Sequence, residues 1–126
     1  MKILITGVAG LLGSRLADWI IENTDNEVIG IDDLSGGYLN NVNPKVKFHN
    51  FNLLDYKKVD SVFEESNIDI VYHFAAYAAE GLSPFIRRYN YENNLLASVN
   101  LINSSIKNGV DRFVFASSID KSVKKD

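Results

Sequence analysis

Three glycines at every third position, Gly7, Gly10 and Gly13, follow an apolar run at residues 3–5 and open a segment of helical period. Glycines between a strand and a helix let the backbone turn tightly, approach a ligand closely and seat the helix against the strand, while free N–H groups at the helix start face an anion. The spacing G-x-x-G-x-x-G is one residue wider than the G-x-G-x-x-G fingerprint, so its weight comes from context. The context is a strand before, an amphipathic helix after, and an acid, Asp32, 19 residues beyond Gly13 at the end of the next apolar run. The expectation is a dinucleotide cradle in which Gly7, Ala9, Gly10, Leu11, Leu12 and Gly13 meet the pyrophosphate and Asp32 accepts hydrogen bonds from an adenosine ribose. Asp32 and its neighbour Asp33 would repel the 2′-phosphate of NADP, and residues 34–42 contain no arginine to compensate, so NAD is the expected cofactor.

Solid apolar runs recur at residues 3–5, 28–31, 46–48, 70–74 and 113–116. Continuous rather than alternating hydrophobicity belongs to strands covered by helices on both faces. Between them lie helical periods: Leu12, Leu16 and Ile20, then Val59, Val62 and Phe63, then Leu95, Val99, Ile102 and Ile106. Asp55 is placed to cap the second helix, Ser83 with Pro84 to start the third, and Gly109 to end it. Residues 32–44, rich in Gly and Asn, read as a loop over the strand ends. Strand and helix alternate, so the expected fold is α/β: a Rossmann-type, doubly wound parallel sheet of about five strands in the order 3-2-1-4-5. Its topological switch, where ligands bind, falls between strands one and four.

A chain of 126 residues with 46% hydrophobic and 23% charged residues fits one domain with a substantial core. A net charge of −3 without a basic stripe gives no reason to expect nucleic acid or an anionic membrane as partner. Cysteine is absent and the histidines are His49 and His73 alone, so thiol chemistry is excluded and no metal site is expected. His73, inside an apolar strand, reads as a hydrogen-bonded packing residue. Residues 70–79, the longest nearly apolar run, fall well short of the roughly 20 a membrane helix needs. The first glycine comes too early for a signal peptide, and a cytoplasmic location is expected.

At this point the chain resembles the extended short-chain dehydrogenase/reductase family, in its NAD-dependent nucleotide-sugar epimerase/dehydratase branch. The resemblance runs from Lys2 to about Ser118 through five stretches in family order: residues 6–13, 30–35, 72–76, 91–94 and 115–118. It implies that Asn52, where the family often has Asp, and Leu53 border the adenine. It implies that Phe74, Ala75 and Ala76 lie under the cofactor, that Asn93 braces it, and that Ser118 hydrogen-bonds the substrate sugar near the reacting carbon. Tyr77, Tyr89 and Tyr91 read as packing or rim aromatics.

The resemblance further implies a Tyr-x-x-x-Lys pair, the tyrosine acting as general base and the lysine lowering its pKa. None of Tyr38, Tyr56, Tyr72, Tyr77, Tyr89 and Tyr91 has a lysine four residues on. The expected organisation is therefore an NAD-binding domain at residues 1–118, cut short after the fifth strand, and a charged tail at 119–126, without a substrate domain. Alone it is expected to bind NAD weakly and to lack turnover. A non-catalytic NAD-sensing module and one half of a split enzyme are the alternatives. Leu95, Val99 and Ile106 are expected to be exposed, and a homodimer through the long helix at residues 84–108 follows from that.

Overall fold

The computed structural model describes residues 1–75 and 84–115. Five parallel strands, β1 Lys2–Thr6, β2 Glu27–Asp32, β3 Lys47–Asn50, β4 Ile70–His73 and β5 Arg112–Phe115, form one sheet in the order β3-β2-β1-β4-β5. The helices are α1 Leu11–Asn23, α2 Tyr56–Ser66 and α3 Pro84–Lys107, with a short 3₁₀ turn at Leu39–Asn41 in the loop after β2. The register sets Thr6 beside both Ile31 and His73, and Asp32 beside Asn50, so the carboxyl ends of the strands form one rim.

Alternating β1 side chains feed two cores. Leu4 joins Ile29, Ile31, Val71 and the α2 and α3 residues Val59, Val62, Phe63 and Leu101 on one face. Ile3 and Ile5 join Val8, Val28, Ala17 and Ile20 under α1 on the other. Solid burial holds for β1 and β2, whereas β3 and β5, at the two sheet edges, are buried only in part. Both-face coverage was expected of all five strands, but the α1 face stops short of β4, where Tyr72 and Phe74 stack on each other at 6.3 Å and stay half-buried.

Local signals explain the helix ends. Asp55 caps α2, its carboxylate accepting from Lys58 N–H at 3.3 Å, and Asn67 closes the helix in the left-handed region at φ 52°. Past α3, Gly109 takes φ 68°, and Val110 N–H returns to the Ser105 carbonyl at 3.0 Å. Ser83, read as the α3 cap, lies outside the described residues, as do Ala116 and the tail at 119–126.

Two helices turn small side chains inward. Leu12 does not begin the buried stripe of α1; it is 65% exposed, and Gly13, Ser14, Ala17 and Ile20 face the sheet. Likewise α3 packs through Ala97, Ser98, Leu101, Ser104 and Ser105, while Leu95, Val99, Ile102 and Ile106 point outward. The cause is steric: small side chains let a helix lie close to the sheet and to α2, where Ser104 and Lys107 both engage Asp60. The expected exposure of Leu95, Val99 and Ile106 holds.

Close approach also explains Gly13. A Cβ there would stand 2.2 Å from the Gly7 carbonyl oxygen, a rigid backbone atom. Alanine in a helix interior ordinarily gains about 1 kcal/mol over glycine, but Gly13→Ala must shift the loop, and we expect a net loss of about 2 kcal/mol. Gly109→Ala, in open space but at positive φ, should lose about 1 kcal/mol. Urea midpoints of the two variants check this; a Gly13→Ala protein as stable as the parent would show that the helix is not seated on the loop.

Candidate functional site

At the carboxyl rim the chain leaves β1 through Gly7, whose φ of 71° favours glycine and whose N–H donates to the Ile31 carbonyl at 2.9 Å. A Cβ on Gly7 would stand 2.9 Å from Ala75 N and Phe74 C, so the exit of β4 runs directly against the loop. Gly10 is the N-cap of α1; it offers no side chain to the helix start, and the first turn holds no acid. An anion is the natural partner for such a terminus.

The Asp32 carboxylate closes the other side. Oδ2 accepts from Ala9 N–H at 2.9 Å, and Oδ1 accepts from Leu34 N–H at 2.8 Å, which holds Leu34 at φ 65°. A carboxylate has about four acceptor positions, so two remain after these bonds. Asp33 is anchored through both oxygens as well: Oδ1 accepts from the Ser35 N–H and hydroxyl at 2.9 and 2.6 Å, and Oδ2 accepts from Asn52 Nδ2 at 2.9 Å. The Asn52 amide oxygen in turn accepts from Leu54 N–H at 2.8 Å. Asn100 of α3 donates to the Leu53 carbonyl at 3.0 Å, fixing the segment after β3 against the long helix.

These elements enclose an open cleft of about 650 Å³ along the strand ends. The volume falls within the roughly 300–1,000 Å³ usual for ligand sites. Its walls combine the glycine loop, both aspartates, the Asn52–Leu53 segment and Asn93 of α3, with Phe74 and Ala75 at the β4 exit. Beneath the exit, Thr6 and His73 are buried and 2.6 Å apart, Oγ1 to Nδ1, while His73 Nε2 lies 2.9 Å from Ser98 Oγ. Burial pushes the His73 pKa down to about 4. Among the described residues no group of His, Asp and Glu is placed to hold a metal ion, and no helix is long and apolar enough to cross a membrane.

With that geometry in hand, comparison with known proteins is decisive. Residues 3–123 match the family model described as the NAD dependent epimerase/dehydratase family. The chain belongs to this family. It is 38% identical over 126 residues to a UDP-glucose 4-epimerase of Bacillus subtilis, a match covering 94% of this chain and 37% of that protein. A Streptococcus mutans UDP-glucose 4-epimerase is 35% identical over 120 residues, covering 93% and 35%. Among solved structures, the Thermotoga maritima UDP-glucose 4-epimerase with UDP-glucose superposes at a TM-score of 0.88 with 35% identity, covering 94% of this chain and 38% of that one. The Thermus thermophilus UDP-glucose 4-epimerase in complex with NAD gives 0.84 with 34% identity, covering 94% and 38%. The chain thus spans a little over a third of the length of these relatives.

Of the family positions expected from sequence, Gly7, Gly10, Asp32, Asp33, Asn52, Leu53, Phe74, Ala75 and Asn93 come together on the cleft. Ala9, Leu11, Leu12 and Gly13 do not line it. Ala9 is fully buried, its N–H held by Asp32 and its carbonyl by Tyr38 N–H and the Asn41 amide. Leu11 and Leu12 expose their side chains on the first turn, where only their backbone N–H groups can serve an anion, and Gly13 acts by packing. Ala76, Tyr77, Ser117 and Ser118 lie outside the described residues. Tyr89 and Tyr91 are exposed, Tyr89 at the rim of the cleft.

Sequence reasoning gave no site role to Thr6, Ser35, Gly36, Phe51 and Asn94, although Thr6, Ser35 and Asn94 fall within the stretches that carry the resemblance. Thr6 gave a usable signal, a polar residue ending an otherwise apolar strand, whereas the others become neighbours only through the fold.

The His73 environment has a pH signature. Its folded pKa lies below the ordinary 6.5, so the unfolded chain binds the extra proton first; the stabilisation is complete above pH 6.5 and is lost as pH falls toward 4. We expect the parent protein to lose roughly 3 kcal/mol over that window relative to His73→Phe, at about 1.4 kcal/mol per pH unit. Urea titrations at several pH values measure the difference; parallel curves for the two proteins would contradict it.

Proposed function

We propose that this chain is the cofactor-holding part of a nucleotide-sugar epimerase of the UDP-glucose 4-epimerase type, taking NAD in preference to NADP. The reading is carried by Asp32, whose carboxylate is locked to the glycine loop by the Ala9 N–H bond and keeps two acceptor positions at the cleft, as many as a ribose has hydroxyls. The uncapped start of α1 suits the diphosphate. Asn52 and Leu53 border the adenine, Phe74 and Ala75 form the floor, Asn93 braces the cofactor from α3, and Ala76 would contact it as the resemblance implies. Bound NAD would supply the hydride acceptor; the residues of this chain bind and orient it and keep one side of the cleft dry. Ser118 would hydrogen-bond the sugar.

The general base is not among this chain's six tyrosines, since none has a lysine four residues on. These 126 residues therefore provide the cofactor side of the reaction and not its proton transfer. Calorimetric titration should give NAD at least tenfold tighter binding than NADP, about 1.4 kcal/mol, with the preference erased in Asp32→Ala. Equal affinity for the two cofactors in the parent protein would overturn the reading. In a coupled assay the purified chain should not consume UDP-galactose; turnover at the rate of a complete epimerase would overturn the assignment of the base.

We propose in addition a homodimer through α3, because Leu95, Val99, Ile102 and Ile106 lie on its outer side. An apolar stripe of this kind marks an association surface. Light scattering at high concentration should report a dimer, and Ile106→Glu a monomer; a monomeric parent protein would refute this.

A further inference from the structure

We propose that His73 is a positioning residue that fixes the three walls of the cleft to one another, and that it does so as the neutral tautomer protonated on Nε2. The inference rests on the reading of the cleft as a dinucleotide site. Three groups meet Thr6 Oγ1: Phe74 N–H at 3.1 Å, Ala75 N–H at 3.2 Å and His73 Nδ1 at 2.6 Å. A hydroxyl oxygen has two lone pairs and one hydrogen. The two amides occupy the lone pairs, so the hydrogen points at Nδ1, which must be bare. The ring proton then sits on Nε2 and is donated to Ser98 Oγ at 2.9 Å.

With the opposite tautomer Thr6 Oγ1 would face three donors. Phe74 N–H would keep the Thr6 carbonyl at 3.2 Å as an acceptor, and Ala75 N–H would be displaced. Ala75 is the backbone that presses on Gly7, so the floor would part from the glycine loop. Phe113 and Phe115 meet the imidazole edge-on at 6.2 and 5.2 Å and hold its plane. Ser98 follows Asn94 by one helical turn and adjoins Ala97, both of which line the cleft. One ring thus ties the end of β1, the exit of β4 and α3 together.

Nitrogen-15 spectra of the histidine rings in the ligand-free protein at neutral pH test the tautomer, with the His73 signals assigned by their loss in His73→Phe. Nδ1 should appear unprotonated and Nε2 protonated; an Nδ1-protonated ring or an imidazolium overturns the proposal. Thr6→Val, which removes the hydroxyl at constant shape, should weaken NAD binding about tenfold, the effect of one lost hydrogen bond. Thr6→Ser, which keeps it, should stay within about twofold. Equal affinities for the two variants would overturn the positioning role. Should the parent protein itself fail to bind NAD, the dinucleotide reading falls separately, and the amide signals of Gly7, Ala75 and Asn93 then decide: all three shift in Thr6→Val but not in Thr6→Ser if His73 couples the walls, and an unshifted set refutes it.

Discussion

The hydrogen bond between Ala9 N–H and the Asp32 carboxylate is the constraint on which the rest of the rim depends. Gly7 turns the chain out of β1 toward β2, where its N–H meets Ile31, and the next residues can reach Asp32 only because that turn is at positive φ. Once Ala9 is held, its carbonyl becomes the anchor for the following loop through Tyr38 and Asn41. Gly37 then lies so near that a Cβ would stand 2.5 Å from that same carbonyl oxygen. The loop after β2 is thereby packed upon the loop after β1. A glycine-rich segment that reads as flexible in isolation is made rigid by contacts that only glycine allows.

The same economy of side-chain volume governs α3. A helix carrying Leu95, Val99, Ile102 and Ile106 would ordinarily turn those residues inward, each burial contributing about 1.5–3 kcal/mol. Here the inward face is Ala97, Ser98, Leu101, Ser104 and Ser105. The gain lies elsewhere: Ser98 reaches His73, Ser104 reaches Asp60, and Asn100 reaches the Leu53 carbonyl. Polar groups of β4, of α2 and of the segment after β3 are satisfied by one helix, which an apolar face could not do. The outward apolar stripe is what that arrangement leaves over, and it suits a partner surface better than water.

The sheet was legible in the sequence because parallel strands under helices are apolar throughout, and the order 3-2-1-4-5 followed from right-handed crossovers. The α2 face, Val59, Val62 and Phe63, was legible for a similar reason, being the apolar side of an otherwise charged helix. Leu12 misled because hydrophobic period marks an apolar face without saying which neighbour covers it, whereas the exposure of Leu95, Val99 and Ile106 on α3 was expected and holds. Small residues such as Ser98 and Ala97 carry no hydropathy signal, yet they decide which face fits. In the site, Gly7, Gly10 and Asp32 were found by spacing. Phe51 was not, and Ser35 and Asn94 were marked only as members of a resembling stretch, since their proximity exists only after β2, β3 and α3 converge.

Asn52 shows how a departure from a family pattern can be coherent when its neighbour is considered. A carboxylate at this position would face Asp33 at hydrogen-bond distance, two like charges with no proton between them. An amide instead donates to Asp33 Oδ2 and turns its oxygen to Leu54 N–H, so its orientation is set by two partners of opposite demand. Asp33 is thus held at the cleft wall by Asn52 on one side and Ser35 on the other. The negative charge beside Asp32 is a fixed part of the wall. Its repulsion of a second phosphate acts from a set position, screened by the solvent that Asp33 still meets.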